Sequence, residues 1–470
     1  MKLFVRMTFY LSLLFFLVVC QLLGASDKEK QNSDDAKMVD AIFDNVLTRG
    51  DTYKLLDNLC NQIGTRLSGS AGAAKAVAWS KQVMEGYDFD RVFLQDVMVP
   101  HWVRGSEAVA VAKNVPGSEN VNLSVIAIGG SVATPANGLT AEVIEVQSLD
   151  DVARLGENKV KGRIVFYNRP FEQRNIRTFE SYSGAVDQRV RGASQAAKFG
   201  AVAIVIRSVT SAFDDVPHTG TLVYADSIAR IPAAALGVQS ADKLTRILHH
   251  QGKVDLFLKM DCKWLPDAPS YNVVGELRGN EFPDEIIVVG GHLDSWDVGQ
   301  GAHDDGAGSM QSISALRTLQ NLGYHPKHTI RAVLFMNEEN GLRGGKKYAE
   351  LAVKNDEKYI AAMESDAGGF TPRGFGVTAP DSIVAKIQSW QPYFDKNIIS
   401  YIKQGGGGAD VGPLHRAFGT PVIGFIPDSQ RYFDVHHSEN DRFSAVNRRE
   451  LELGTGAIAA LIYFIDKYGL

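Results

Sequence analysis

The stretch Ile286-Ile287-Val288-Val289-Gly290-Gly291-His292-Leu293-Asp294-Ser295 organises the reading of the whole chain. Four consecutive β-branched apolar residues, closed by glycines, read as a strand buried on both faces, as in a parallel sheet. In open α/β sheets ligands sit beyond the carboxyl ends of the strands. His292 and Asp294 therefore stand where chemistry is expected. The same arrangement recurs downstream. Strand-like Ile330–Met336 ends in Asn337-Glu338-Glu339, and Ala361–Glu364 runs into Ser365-Asp366. Strand-like Val422–Ile426 leads to Tyr432 and then His436-His437-Ser438. Asp304-Asp305 follow a glycine-containing loop and open a helical stretch to Leu322. Five segments thus bring His, Asp or Glu to one edge of one sheet.

Apolar strands alternating with amphipathic helices, the last of them Leu451 to Tyr468, give the fold class. It is α/β, with a mixed, mostly parallel sheet between helices. The 470 residues are too many for one core. Residues 1–25 have a basic start (Lys2, Arg6), an apolar middle and small residues near the expected cleavage at Ala25 or Ser26. That is the pattern of a secretory signal peptide, the apolar run being short for a membrane anchor. Residues 26–44 begin with a polar tract expected to be a flexible leader or a removable pro-segment. Residues 45–116 form a first catalytic segment, 117–266 an insertion of short strands and turns, and 267–470 a second catalytic segment. No metal-ligand constellation is visible in the insertion.

With net charge −5 and a pI near 6.1, the chain gives no support for nucleic-acid binding. No later segment is apolar enough for stable membrane insertion. The expected location is secreted or elsewhere in the secretory pathway, the lysosome included. Outside the signal peptide the cysteines are Cys60 and Cys262, which form a pair or remain two buried thiols. Asn122-Leu123-Ser124 is a glycosylation sequon.

Taken singly, each acidic or histidine residue has an ordinary reading: a hydrogen-bonded loop side chain, a solvated Glu-Glu pair, or Asp304-Asp305 capping a helix. Together they suit a metal. Imidazoles with several carboxylates favour zinc and leave positions open for water and substrate. A carboxylate beside the metals, such as one of Glu338 and Glu339, can take a proton from water and hand it to a leaving amine.

His292-Leu293-Asp294, Gly301-Ala302-His303-Asp304-Asp305-Gly306-Ala307-Gly308, Asn337-Glu338-Glu339, Asp366 and His437-Ser438 resemble the co-catalytic dizinc peptidases. That family includes bacterial aminopeptidases and glutamate carboxypeptidases, and the likeness spans nearly the whole mature chain. The resemblance implies the zinc-peptidase fold with an inserted β-rich protease-associated domain. It implies two Zn2+ per chain, one on His292 and Asp366, the other on Glu339 and His437, with Asp304 bridging. His437 is preferred to His436 because the family's ligand directly precedes Ser or Thr. Glu338 becomes the general base and then acid, and Asp294 the residue that orients His292. The implied substrate is a dipeptide or short peptide, cleaved by a carboxypeptidase or dipeptidase, and the implied assembly a homodimer. Physical reading of the residues leaves the aminopeptidase alternative open, and neither Arg343 nor Arg373 can be placed as a carboxylate anchor. Two further alternatives, a non-catalytic binding ectodomain and a glutaminyl cyclase-like acyltransferase, fit less well. The first should have lost ligands, and the second is typically a single-metal enzyme without the insertion. The glycine run Gly405–Gly408 reads by composition as a flexible loop, and the resemblance points instead to a backbone wall near the substrate, where glycines permit close approach.

Overall fold

The computed structural model describes residues 31–115 and 120–470, so the signal-peptide reading lies outside the described residues. Two eight-stranded sheets make up the molecule. The first runs, edge to edge, Arg91–Val103, Lys263–Leu277, His328–Phe335, Phe282–His292, Lys358–Glu364, Val422–Pro427, Pro372–Thr378 and Tyr401–Gln404. Its four central strands, from His328–Phe335 to Val422–Pro427, are parallel, and antiparallel pairs flank them. Every residue of His328–Phe335 is buried, as expected for a strand covered on both faces. The covering helices include Ala307–Asn321, Arg343–Lys354 and Arg448–Tyr468, the last contributing thirteen consecutive buried residues from Gly454 to Asp466.

The second sheet begins at Ala108–Lys113 and ends at Asp255–Met260 in sequence. It therefore starts inside the block 45–116 that the sequence assigns to the catalytic domain. The boundary belongs near residue 104, because Arg91–Val103 pairs with Lys263–Leu277 and returns the chain to the first sheet. The block between holds parallel strands and helices as well as turns. Leu139–Val146, Ile164–Tyr167, Ala203–Arg207 and Ala233–Leu236 are parallel neighbours, and helices such as Thr178–Ala185 and Val238–Gln251 accompany them.

Where a flexible leader was expected over residues 26–44, residues 31–49 are helical. Val39, Ile42, Phe43 and Val46 repeat at helical spacing and are buried against the catalytic core. The polar face is tied down as well: Asp35 accepts hydrogen bonds from Tyr463 (2.8 Å), Lys467 and Tyr468 (both 2.5 Å). Composition argued for disorder, and tertiary partners overrode it. Cys60 and Cys262 are free, buried thiols in separate cores. Asn122 lies on an edge strand of the second sheet. Among the described residues no helix is long and apolar enough to cross a membrane.

Candidate metal centre

The strand Phe282–His292 carries His292 to the carboxyl edge of the sheet, where its side chain is buried. Its Nδ1 lies 2.9 Å from the main-chain oxygen of Asp294. A carbonyl only accepts, so Nδ1 carries the proton and the Nε2 lone pair points the other way. It faces Asp304 Oδ1 at 3.1 Å and Asp366 Oδ1 at 3.4 Å. A lone pair directed at two carboxylates needs a proton or a cation between them. Burial opposes a charge on His292, but Asp366, Asp304 and Asp305 outweigh it and hold the imidazole well above its usual pKa.

Asp304 turns its second oxygen to another pair of donors. Oδ2 is 3.2 Å from His437 Nε2, which is itself 3.1 Å from Glu339 Oε2. That buried Oδ2 accepts no hydrogen bond among the described residues. Separations of 3.1–3.4 Å between these atoms match the edge of roughly 3.3 Å in a tetrahedron with bonds of about 2.0–2.1 Å, as at zinc. His436 also approaches Asp304, at 3.6 Å, and stacks on His437 with ring centres 3.5 Å apart. Only His437 touches both Asp304 and Glu339, so the geometry favours it over its neighbour.

The turn carrying Asp304 is held by residues that sequence reading missed. The main-chain N–H groups of His303 and Asp304 donate to the Asp441 carboxylate at 2.7 and 3.1 Å. Asp305 accepts from the main-chain N–H of His292 and of Gly308. Arg66 is fully buried and donates to the carbonyls of Leu293, Gln300 and Gly301 at 2.6–3.0 Å, clamping the loops that bear His292 and Asp304. Gly301 has φ +56°, and a Cβ there would enter the space of Ser295 and Arg66. The Gly64–Ser70 loop was visible in sequence, but no sequence signal pairs Arg66 with main-chain carbonyls more than two hundred residues away.

Glu338 follows strand His328–Phe335 and lines the cleft beside this cluster. Its carboxyl is pushed up to about 8, chiefly by burial; His292 opposes the shift, and Asp366, Asp304 and Asp294 add to it. The role expected of Asp294 is divided. Its main-chain oxygen orients His292, while its carboxylate lies 3.9 Å from that ring. The carboxylate instead accepts from the N–H groups of Asn337 (2.6 Å) and Glu338 (3.1 Å), fixing the segment that bears the candidate base.

A cleft of about 720 Å³ opens over the cluster, a size suited to a small ligand. Asp304, Glu338, Glu339, Asp366 and His437 line it together with residues of the insertion, among them Phe179, Tyr182, Arg189 and Arg230. Arg343 and Arg373 are not among its walls; they pair with Asp267 and Asp428. The cations that reach the cleft are Arg189 and Arg230, both from the block in which sequence reading found no catalytic pattern. Arg189 is buried, donates to the Tyr182 hydroxyl at 2.7 Å, and has Nη1 3.3 Å from His437 Nδ1. The glycine run is not in the cleft wall either. It packs on the sheet, Gly406 against Gly376, with no room for a Cβ at Gly408 beside Glu364.

These features define a peptidase of known type. The model described as Peptidase family M28 matches residues 272–462. The chain belongs to this peptidase family, in its carboxypeptidase Q-like branch. It is 36% identical to human carboxypeptidase Q over 414 residues, 88% of this chain and 85% of that protein. A solved peptidase M28 precursor from Shewanella amazonensis superposes with a TM-score of 0.87 at 32% identity, over 92% of this chain and 97% of the other. A zinc aminopeptidase from Bacillus subtilis shares the fold, with a TM-score of 0.64 at 21% identity over 88% and 94% of the two chains.

Proposed function

We propose that the chain is a secreted, two-zinc exopeptidase that cleaves dipeptides and short peptides as a carboxypeptidase or dipeptidase. The observation that carries this reading is the placement of Asp304, whose two oxygens face separate imidazole–carboxylate pairs, His292 with Asp366 and His437 with Glu339. The orphaned Asp304 Oδ2 and the oxygen-and-imidazole donor set suit zinc. When bound, two zinc ions polarise the scissile carbonyl and acidify a water molecule.

The chain's own residues supply the rest. His292 and Asp366 would hold one ion, Glu339 and His437 the other, and Asp304 both. Glu338 stands in the cleft with its main chain fixed by Asp294. As carboxylate it accepts a proton from the attacking water, and as carboxylic acid it returns that proton to the departing amine. A His437 that binds metal through Nε2 keeps its proton on Nδ1. The Arg189 guanidinium, also a donor, then finds no acceptor on that ring; Nη1 donates to the Thr219 carbonyl at 3.4 Å and Nη2 to Tyr182, and its Nε–H, without a partner among the described residues, is the donor left for a carboxylate. This favours recognition of a free peptide C-terminus.

Metal analysis of the purified chain should give about two zinc per chain. Turnover of one dipeptide is then compared with its C-terminal amide and its N-acetyl form. Loss of cleavage on amidation supports the carboxypeptidase reading. Loss on N-acetylation alone replaces it with the aminopeptidase reading. A metal-free chain that cleaves the peptide equally well overturns the mechanism.

A further inference from the structure

We propose that side-chain specificity comes from an apolar shelf of Phe179 and Val223, from the insertion, and Trp264, from the strand Lys263–Leu277 that returns the chain to the first sheet, and that this shelf receives a Leu-, Met- or Phe-sized side chain of the peptide. The inference rests on the reading that this cleft binds peptides. All three residues line the cleft, and all three are exposed, by 42%, 58% and 43%. Large apolar side chains left this open, together and facing an active site, mark a binding surface better than scattered surface hydrophobics do.

Each is held in place, and its polar neighbours are already satisfied. Phe179 stacks on Tyr432 at 5.9 Å and meets Phe433 edge-on at 4.9 Å. These partners sit in the short helix just before His436 and His437, so the ring is fixed relative to the metal cluster. Thr178 ties the same helix start to Ser429 through a 3.0 Å hydrogen bond. The Val223 main-chain N–H donates to Val190 at 2.9 Å, which fixes the loop and leaves the side chain free. The indole N–H of Trp264 donates inward to Gly130 at 3.1 Å, so only its carbon faces remain for a ligand. Asp304, Glu338 and Asp366 line the same cleft. A peptide whose carbonyl lies over those carboxylates can turn an apolar side chain to the shelf. The three shelf side chains themselves offer only carbon, so the discrimination they supply is between apolar side chains and none.

The test uses the full, zinc-loaded chain and two peptide series, X-Ser and Ser-X, with X as Gly, Leu or Phe. In one series kcat/KM should rise about tenfold or more from Gly to Leu or Phe. Phe179→Ala and Val223→Ser should cut that apolar-to-Gly ratio to within about threefold, mainly through KM, and Phe179→Leu should retain most of it. Flat series in the wild type, or variants that slow Gly and Phe peptides by the same factor, overturn the shelf. If the wild type cleaves no peptide, the proposed function fails separately. The shelf is then judged by calorimetric affinities of Glu338→Gln for the same peptides, and equal affinities for Gly and Leu peptides overturn it.

Discussion

The two sheets are built alike and used differently. Both have eight strands, both contain a run of parallel neighbours, and both bury those strands completely in places, as at His328–Phe335 and Ile164–Tyr167. At the carboxyl edge of the catalytic sheet, consecutive elements deliver His292, Asp304, Glu339, Asp366 and His437 to within ion-pairing distance of one another. Neither group of potential metal ligands among the described residues includes a residue of the insertion. The insertion instead presents Arg189, Arg230 and an apolar face to the cleft. Shared sheet architecture thus says little about chemistry. What matters is which loops the strand ends carry and whether those loops converge.

The sharpest way to break this division of labour is to exchange the expected phenotypes. On the catalytic side, Glu338→Gln should cut kcat about a thousandfold while zinc content stays near two per chain. On the same side, Arg66→Met removes the donor from three buried carbonyls and should cost about 3 kcal/mol, seen as a lower denaturant midpoint, together with weaker zinc retention on dialysis. From the insertion, Arg189→Gln should raise KM for a free dipeptide about thirtyfold, roughly 2 kcal/mol, and leave the amidated peptide little changed. If Arg189→Gln lowered kcat as much as Glu338→Gln does, the separation of chemistry from recognition would be wrong.

The smallest effects are those of pH on the metal-free protein, where buried carboxyls and buried imidazoles contribute with opposite signs. Burial raises Glu338 to about 8 and Glu364 and Asp441 to about 7, all at the catalytic edge. Their unfolded values lie near about 4, so between there and about 7–8 the folded state holds the extra protons. The stability these groups contribute is full below the unfolded value and is lost as pH rises through the folded one. Burial lowers His303, at the same edge, to about 4, which opposes this trend below its ordinary value of 6.5. The melting temperature of zinc-free protein should therefore fall from about pH 6.5 to about pH 8, and zinc should restore it at about pH 8. In the insertion, burial lowers His218 to about 4, against an ordinary value of 6.5. That contribution is lost as pH falls from above 6.5 through 4. Hydrogen exchange around residues 208–220 should accelerate on acidification below about pH 6.5, and exchange there that does not change with pH would sink this assignment.

Much of the site was legible because strand and ligand are contiguous in the chain. The buried run Ile286–Val289 announces a strand, and His292 is only three residues beyond it; Glu338-Glu339 and Asp366 follow strands in the same way. Periodicity and composition therefore determined the fold class and the functional edge, while the choice of five ligands among the His, Asp and Glu residues there came from the family resemblance. Other features depend on groups that meet only after folding. Arg66 reaches carbonyls 227 to 235 residues away, and Asp441 grips the turn that aims Asp304. Asp294 works through its main chain on His292 and through its carboxylate on Glu338, a division no residue type reveals. The helix at 31–49 is polar in composition, yet its apolar stripe meets the core and Asp35 meets the terminal helix. Much of the cleft's lining comes from helices and loops that connect strands of the second sheet. Local sequence sets what a strand end can offer, because side-chain chemistry and backbone period are local. Which offers converge, and what surrounds them, is decided by packing between segments hundreds of residues apart.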